Sequence, residues 1–325
     1  SFFGISTFTT GIYNAWISFD DLALANQLSF YLLIFILGLF VLENISRKKA
    51  QYHSPTKGGF KKKSLTTLHG YKAIFAFSFC FLIFFISFLF PVIQMLYWTI
   101  IFPKHLIDLD LISLFSNTII LVLFSSFVLI SFAFISNYGN RLSRSKFLEI
   151  LNTLSISGYA VPGIILAVAF ITFISWFDNN IISFFDIKNI KSIFIGSILG
   201  LVIVYFIRFY SLASNGIKSG YLKINYSIDE SAYLLGYSKF KTFKNIHIPY
   251  LKNSILLIGI LISIEVIKEL PITLIMRPFN FETFATQAYI YASQDLLEAA
   301  AAPSLFLILI ASFFILITSR YILKD

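Results

Sequence analysis

The chain has 325 residues, of which 58% are hydrophobic and 13% are charged, and its mean hydropathy is +0.83. Because soluble domains carry about 25% charged residues, this composition excludes a soluble globular protein and indicates an all-α bundle of membrane-spanning helices. The net charge of +9 implies the lipid bilayer and not nucleic acid as a partner, because most lysines and arginines flank apolar segments, as they do at an anionic membrane surface.

Apolar segments long enough to cross a bilayer recur along the chain. A transmembrane helix needs about 20 apolar residues. The seven predicted spans are Leu28–Leu42, Ala73–Ile101, Phe115–Ser136, Leu151–Phe177, Ile193–Ser214, Ser254–Met276 and Ala302–Ile322. Gly158, Pro162 and Gly163 interrupt the fourth span, which predicts a kink or a close helix approach there. Arg208 is expected near the cytoplasmic end of the fifth span, with its side chain extended toward the interface.

Basic residues are concentrated in segments that strict alternation of the spans places on one side of the membrane. These segments are Asn44–Lys72, Asn137–Ile150, Asn215–Lys252 and the C-terminal tail. The connections on the other side are neutral or acidic. The positive-inside rule therefore predicts a multi-pass protein with a cytoplasmic C-terminus.

An internal repeat links the two ends of the chain. The string TFTTGIY at Thr7–Tyr13 matches TFATQAY at Thr283–Tyr289 with an offset of 276, and the similarity continues at Ala23/Ala299 and Phe30/Phe306. Chance similarity between Phe-rich helices is the alternative, but the matching string lies outside the helix core. We interpret the repeat as two homologous bundles in one polypeptide, an arrangement that is common in transporters.

This interpretation divides the chain into three parts. Residues 1–45 are the last periplasmic segment and final helix of the first bundle, residues 46–71 are a basic cytoplasmic linker, and residues 72–325 are the second bundle of six transmembrane helices. The offset then implies that roughly 200 residues of the first bundle precede Ser1.

A polar segment, residues 225–249, separates the fifth and sixth spans and reads NYSIDESAYLLGYSKFKTFKNIHIP. Ser227 and Glu230 are spaced as a capping box at a helix start. Gly236 suits a left-handed helix stop, Ser238 can cap a second short helix, and Pro249 is expected to end it.

Within the first of these helices, Ile228, Ala232 and Leu235 are predicted to share one face. Both helices are too short to be stable alone. They are expected to pack either in a groove of another protein or on their own bundle.

The spacing E-S-A-x3-G-x9-I-x-I-P in this segment resembles the EAA loop of ABC importer permeases, EAA-x3-G-x9-I-x-L-P, with serine and isoleucine as the two departures. The resemblance implies a transmembrane helical bundle of the type I ABC importer permease kind, in a bacterial inner membrane. It implies that the loop is the coupling helix that docks on a cytoplasmic ABC ATPase dimer, and that a periplasmic substrate-binding protein delivers the substrate. The docking residues that it assigns are Asp229, Glu230, Ser231, Ala232, Gly236, Ile246 and Pro249.

The sequence predicts a transport subunit rather than an enzyme. It contains no G-x4-G-K-[ST] string, so ATP hydrolysis is expected from a separate subunit. Cys80 is the only cysteine and lies in an apolar span, and the four histidines lack ligand spacing. No metal site and no cofactor is therefore predicted.

Glu265, Lys268 and Glu269 lie inside the sixth predicted span. Their spacing predicts one shared helix face, on which Lys268 can pair with either carboxylate. Ionisable groups at this depth are costly and indicate function by default. Lining of a translocation pathway, an ion pair that fixes helix packing, and a helix end at the periplasmic side are the three interpretations.

The sequence from Glu265 to Thr286, EVIKELPITLIMRPFNFETFAT, resembles the ferric-iron type of these permeases, in which two permease halves are fused in one polypeptide. The resemblance implies Fe³⁺ as the substrate. Permeases for thiamine, phosphonate or polyamine are alternatives within the family. An ion-coupled secondary transporter, with the three ionisable residues as a proton relay, is the alternative from another class.

Overall fold

The structure, a computed structural model, describes residues 7–49, 67–143, 155, 157–184 and 192–322. These ranges are helical and contain no strand. In them, seven helices are long and apolar enough to cross a membrane, which confirms the all-α, seven-span prediction. The helices are α1 (Phe8–Ile17), α2 (Leu22–Lys49), α3 (Tyr71–Phe84), α4 (Phe90–Ile101), α5 (Pro103–Ile107), α6 (Leu111–Ser143), α7 (Gly163–Phe184), α8 (Ile198–Tyr221), α9 (Tyr226–Leu234), α10 (Lys239–Thr242), α11 (Ile248–Ile267), α12 (Pro271–Met276), α13 (Phe284–Ser293) and α14 (Leu297–Ile322).

The core lies where α6, α8 and α11 pack on one another. Helix α8 contributes the largest buried side chains, among them Tyr205, Phe209 and Ile217, each with no exposed surface. Helix α7 joins this core and also packs on α2. In contrast, α3 buries none of its residues and exposes Cys80, as expected for a helix that faces lipid.

Several span boundaries differ from the prediction, and two of these differences concern spans that carry charged residues. The fifth span runs from Ile198 to Tyr221 because Ser197 caps it, accepting a hydrogen bond from the Gly200 amide at 3.1 Å. The sixth predicted span is two helices, α11 and α12, because Pro271 has no N–H to continue the first one. Both differences change where charged residues lie in the bundle.

The fourth span shows the close approach that its glycines predict. Helix α7 begins at Gly163, after a 3₁₀ turn at Ser157–Ala160. A Cβ on Gly158 would lie 2.2 Å from the Ile207 carbonyl oxygen. The turn therefore packs directly on the backbone of α8, and only glycine fits there. The first part of this predicted span falls outside the described residues.

Two π-helical turns, Phe85–Leu89 and Phe243–His247, each end two residues before a proline. A proline ring clashes with the carbonyl four residues earlier in an α-helix. The wider turn avoids this clash, and the bond that closes the second one runs from the Ile248 amide to the Phe243 carbonyl. The helix therefore continues through Pro249, and the prediction that Pro249 ends the second short helix is wrong.

The repeated string has the same local structure in both copies. Thr7 and Thr283 each cap a ten-residue helix and form a reciprocal capping box with the threonine three positions later. The next helices begin at Leu22 and Leu297, so the connection in the second copy is one residue shorter. The offset of 276 therefore holds for the bounds of α1 and α13, whereas α14 begins one residue earlier than that offset places the start of α2.

The predicted division at residues 46–71 lies largely outside the described residues. Helix α2 continues to Lys49, and the structure resumes at residue 67 before α3. The assignment of a linker there stays a prediction.

Candidate functional site

The polar segment folds as a short helix, a turn and the start of a long helix. Asn225 caps α9 and accepts a hydrogen bond from the Ser227 amide at 3.4 Å, so Ser227 lies inside the helix and the predicted capping box is wrong. Gly236 ends the helix with φ +79°, as predicted. Ser238 caps α10, as predicted, and accepts from the Lys241 amide at 3.3 Å.

This segment has an inner face that packs on the bundle. Asp229 and Ala232 are 7% and 4% exposed, and Ile228 packs against the core. Leu235, which the sequence placed with them, is 78% exposed. The face predicted from helical spacing is therefore correct for its first two members only, because α9 ends at Leu234.

The opposite side of the segment is exposed and apolar, with one acid. We call this surface the docking face, and its residues are Glu230, Ser231, Leu234, Leu235, Gly236 and Phe240. Leu234 is 89% exposed and Phe240 is 73% exposed. Of the other predicted docking residues, Ile246 is half-buried and Pro249 is exposed on the helix that follows. Adjacent large apolar side chains at this exposure are typical of an interaction surface, for another protein or for the membrane.

Asp229 holds the inner face to the bundle. Its Oδ2 accepts a hydrogen bond from Arg141 Nε at 2.7 Å, and its Oδ1 lies 2.8 Å from His247 Nε2. The three side chains are between 0% and 10% exposed. One carboxylate of α9 is therefore fixed between the end of α6 and the π turn that opens into α11.

Further contacts from α6 hold the same loop. Arg141 Nη2 donates to the carbonyls of Ile224 and Asn225 at 3.0 and 3.1 Å, and its guanidinium lies 4.2 Å from the centre of the Tyr226 ring. The Tyr138 hydroxyl donates to the Lys239 carbonyl at 2.6 Å. We call Tyr138, Arg141, Asp229 and His247 the loop anchor.

No sequence pattern predicts this anchor. Arg141 counted only as one of several basic residues that orient the bundle, and His247 only as a histidine without ligand spacing. Arg141 and Asp229 are 88 positions apart. No periodic pattern connects positions so distant. The one local signal is that Arg141 lies beside an apolar span. A buried arginine needs a partner for its charge.

The three ionisable residues of the sixth predicted span do not share one face. Lys268 Nζ lies 2.7 Å from Glu265 Oε1, and its side chain is 56% exposed. Glu269 is 7% exposed and pairs with Arg208, with 3.4 Å between Oε2 and Nε. The two carboxylates separate because α11 ends at Ile267, so residue 269 no longer follows the helical spacing.

Arg208 lies within α8 and not near its C-terminal end, where the sequence placed it. It is ten residues from the start of α8, or about 15 Å along the axis. Its Nη1 donates to the Val161 carbonyl at 3.1 Å. That carbonyl precedes Pro162, where the backbone of the fourth span is irregular and needs a partner. The predicted position of Arg208 is therefore wrong.

Glu269 lies at the start of two helices. Its Oε1 accepts a hydrogen bond from the Ile272 amide at 3.4 Å, in the first turn of α12. A Cβ on Gly163 would lie 2.6 Å from the same oxygen and 2.8 Å from Arg208 Nη1, so the pair packs against the first residue of α7. Helix N-termini favour negative charge. We call Arg208, Glu269 and Gly163 the helix-break cluster.

A cavity of about 430 Å³ lies between α4, α13 and α14. Lys268 lines it beside Trp98 and Tyr289, and half of the other lining residues are alanines. Lys268, the exposed member of the Glu265–Lys268 pair, therefore lines a cavity, whereas Glu269 of the helix-break cluster is buried. In the part of the chain that the structure describes, no three His, Cys, Asp or Glu side chains are grouped closely enough to hold a metal ion.

Comparison with known proteins gives one curated relative and several solved structures. No protein-family model matches the chain. It is 23% identical over 328 aligned positions to the Fe(3+)-transport system permease protein FbpB 2 of Haemophilus influenzae, an alignment that covers all of this chain and 62% of that protein. The chain thus spans less than two thirds of this relative's length.

The structures are bacterial ABC transporters. One is involved in the import of the acidic polysaccharide alginate, with a TM-score of 0.58, 16% identity, and coverage of 77% of this chain and 94% of that chain. Another is an alginate ABC transporter in complex with an alginate pentasaccharide-bound periplasmic protein, with a TM-score of 0.61, 16% identity, and coverage of 77% and 93%. Together with the seven membrane-length helices, these similarities show that the chain has the polytopic helical fold of the ABC importer permeases.

Proposed function

We propose that this chain is a transmembrane permease part of an ATP-driven ABC importer, with its C-terminus in the cytoplasm. The observation that carries the proposal is the exposed docking face on a loop that the buried Arg141–Asp229 ion pair and the Tyr138 hydrogen bond fix to the bundle. An exposed apolar surface alone is common on membrane proteins. Here the exposed apolar surface lies outside the spans, and the inner face of the same loop is bonded to the bundle. This arrangement suits a loop that transmits force from a partner.

The partner of the docking face is a cytoplasmic ABC ATPase dimer. Its closure on ATP displaces α9, and the loop anchor transfers this displacement to α6 and α11. Because Asp229 contacts groups on both sides of the loop, the displacement cannot be absorbed by the loop alone. The bundles then rock, and the pathway alternates between the two sides of the membrane. This chain makes and breaks no covalent bond.

The same proposal includes two bundles in the full polypeptide, which together enclose the pathway. The identical capping boxes of α1 and α13 support a duplicated unit. Lys268 lines the pathway together with its partner Glu265, since Lys268 lines the cavity beside α13 and lies 2.7 Å from Glu265 Oε1. Glu269 acts through Arg208 and stabilises the break before α7.

Fe³⁺ is the proposed substrate, delivered by a periplasmic binding protein. The support is the alignment of the whole chain with a permease named for Fe³⁺ transport. The fold similarity to alginate importers carries no substrate information at 16% identity.

Variants of the docking face test the ATPase contact. Leu235→Asp and Glu230→Ala are expected to lower the affinity of the full-length permease for its ATPase by more than about tenfold, since central interface residues contribute roughly 2 kcal/mol or more. Binding in detergent or nanodiscs measures this. Leu222→Asp is the control, because Leu222 is 81% exposed but lies outside the docking face. Unchanged ATPase affinity in both test variants would sink the proposal.

Transport assays test the substrate. The full-length transporter, reconstituted in proteoliposomes with its ATPase and binding protein, is expected to accumulate Fe³⁺ only when both partners and ATP are present. Uptake of thiamine, phosphonate or a polyamine without uptake of iron would replace the substrate assignment. Uptake that needs a proton gradient and no ATPase would show a secondary transporter instead.

A further inference from the structure

Two tyrosines at equivalent positions of the repeat are in contact. Tyr13 lies six residues after the capping Thr7, and Tyr289 lies six residues after the capping Thr283. Their ring centroids are 6.0 Å apart and the ring planes meet at 82°, an edge-to-face pair. Such geometry is favourable for aromatic rings because the edge of one ring faces the π surface of the other.

A contact between equivalent residues locates a symmetry axis. When two copies of a unit are related by a two-fold rotation, a residue meets its own counterpart only at the axis. Tyr13 belongs to the segment assigned to the first bundle, and Tyr289 belongs to the second. The axis that relates the two bundles therefore passes between the two rings. In transporters built from parallel repeats this axis runs along the membrane normal, and the substrate site lies at the interface between the repeats.

The connectivity places this contact on the side of the membrane away from the docking face. Helix α11 leaves the docking loop and crosses the bundle, and α14 crosses back. Helix α13 lies between them, immediately before α14, and α1 has the same position before α2. Both tyrosines are therefore at the outer end of the bundle.

The surroundings of the two tyrosines allow the rings to meet and also to separate. Tyr13 and Tyr289 are both half-buried, and Tyr289 also lines the cavity that contains Lys268. Burial, and then the neighbouring Tyr289, raise the pKa of Tyr13 to about 12, against an opposing effect of Arg277. The phenol is therefore neutral at physiological pH, and no charge opposes contact between the two rings.

We propose that Tyr13 and Tyr289 form the constriction that closes the translocation pathway on the side opposite the docking face. The rings meet in the conformation described here and separate when the bundles rock open to receive substrate. The assignment rests on the proposed function and on the two-bundle organisation. It adds the position of the axis and the two side chains that close the path.

Alanine variants test whether the contact between the two rings stabilises the closed state of the pathway. Loss of the ring pair removes a contact that favours outer closure, so Tyr13→Ala and Tyr289→Ala are expected to raise the outward-open population by about two- to tenfold. Because ATPase closure accompanies outward opening, ATP hydrolysis without binding protein should rise by a similar factor. Tyr31→Ala is the control, since its ring is 62% exposed on α2. A rise no larger than that of the control contradicts the assignment.

A metal bridge between two histidines tests the distance between the two positions directly. Imidazole nitrogens bind Zn²⁺ at about 2.0–2.1 Å, so two histidines in place of rings whose centroids are 6.0 Å apart can share one ion. In full-length Tyr13→His/Tyr289→His transporter, micromolar Zn²⁺ is expected to abolish binding-protein-stimulated ATP hydrolysis, and a chelator to restore it. Neither single variant should respond.

The outcomes separate this inference from the proposed function. If the double-histidine transporter keeps ATPase activity that depends on the binding protein but ignores Zn²⁺, the constriction is refuted and the importer stands. If the unmodified transporter shows no dependence on an ATPase or a binding protein, the proposed function fails first and this inference fails with it.

Discussion

Replacing Arg141 with methionine is expected to destabilise the docking loop by about 3–5 kcal/mol, the usual cost of breaking a buried ion pair from one side. Asp229 would keep its buried charge and lose the guanidinium at 2.7 Å. The carbonyls of Ile224 and Asn225 would lose their donor as well. The loop should detach from α6, and ATP hydrolysis should no longer be coupled to transport.

Two measurements distinguish this effect from general unfolding. Hydrogen exchange of the amides in α9 should accelerate while that of α7 stays slow, and ATP hydrolysis should persist without stimulation by the binding protein. The Arg141→Met/Asp229→Asn double variant should recover part of the loss, because it removes the unpaired charge. Lys241→Met is the matched control, since its ammonium contacts only the exposed side of the loop, 4.6 Å from the Tyr237 ring. Equal effects of Arg141→Met and the control would refute the anchor.

Replacing Arg208 with methionine is expected to cost a similar 3–5 kcal/mol, but at the centre of the bundle. Glu269, which is 7% exposed, would remain as an unpaired carboxylate among apolar side chains. The Val161 carbonyl would also lose its donor at the break before α7. Thermal unfolding in nanodiscs should show the loss, and Arg208→Met/Glu269→Gln should restore much of it.

The exposed ion pair between Lys268 and Glu265 is the control for the buried pair between Arg208 and Glu269. Lys268 is 56% exposed and bonds Glu265 on the cavity side. Lys268→Met should therefore change stability by less than about 1 kcal/mol, as is usual for exposed pairs, while it alters uptake. If Lys268→Met lowers the unfolding temperature as much as Arg208→Met does, the assignment of Lys268 to the pathway and of Arg208 to the stability of the fold is wrong.

The polar segment, residues 225–249, folds only partly as its sequence predicts. Gly236 and Ser238 were placed correctly, because a left-handed stop and a serine cap depend on neighbouring residues only. The helix start was misplaced by two residues, since Asn225 and Ser227 both suit a cap and the α8–α9 connection selects the first. Pro249 was misread as a stop, because a π turn that accommodates proline has no clear sequence signal.

The sequence by itself determined the helical class, the seven spans and the loop that presents the docking face. Hydropathy and turn chemistry are local properties that a single chain displays directly. Only the tertiary structure decided which polar residues meet. Arg141 with Asp229, Arg208 with Glu269 and Tyr13 with Tyr289 are brought together by helix packing across long stretches of sequence. Burial then distinguishes a charge that holds the fold from one that borders the cavity, because desolvation depends on every neighbour and not on spacing along one helix.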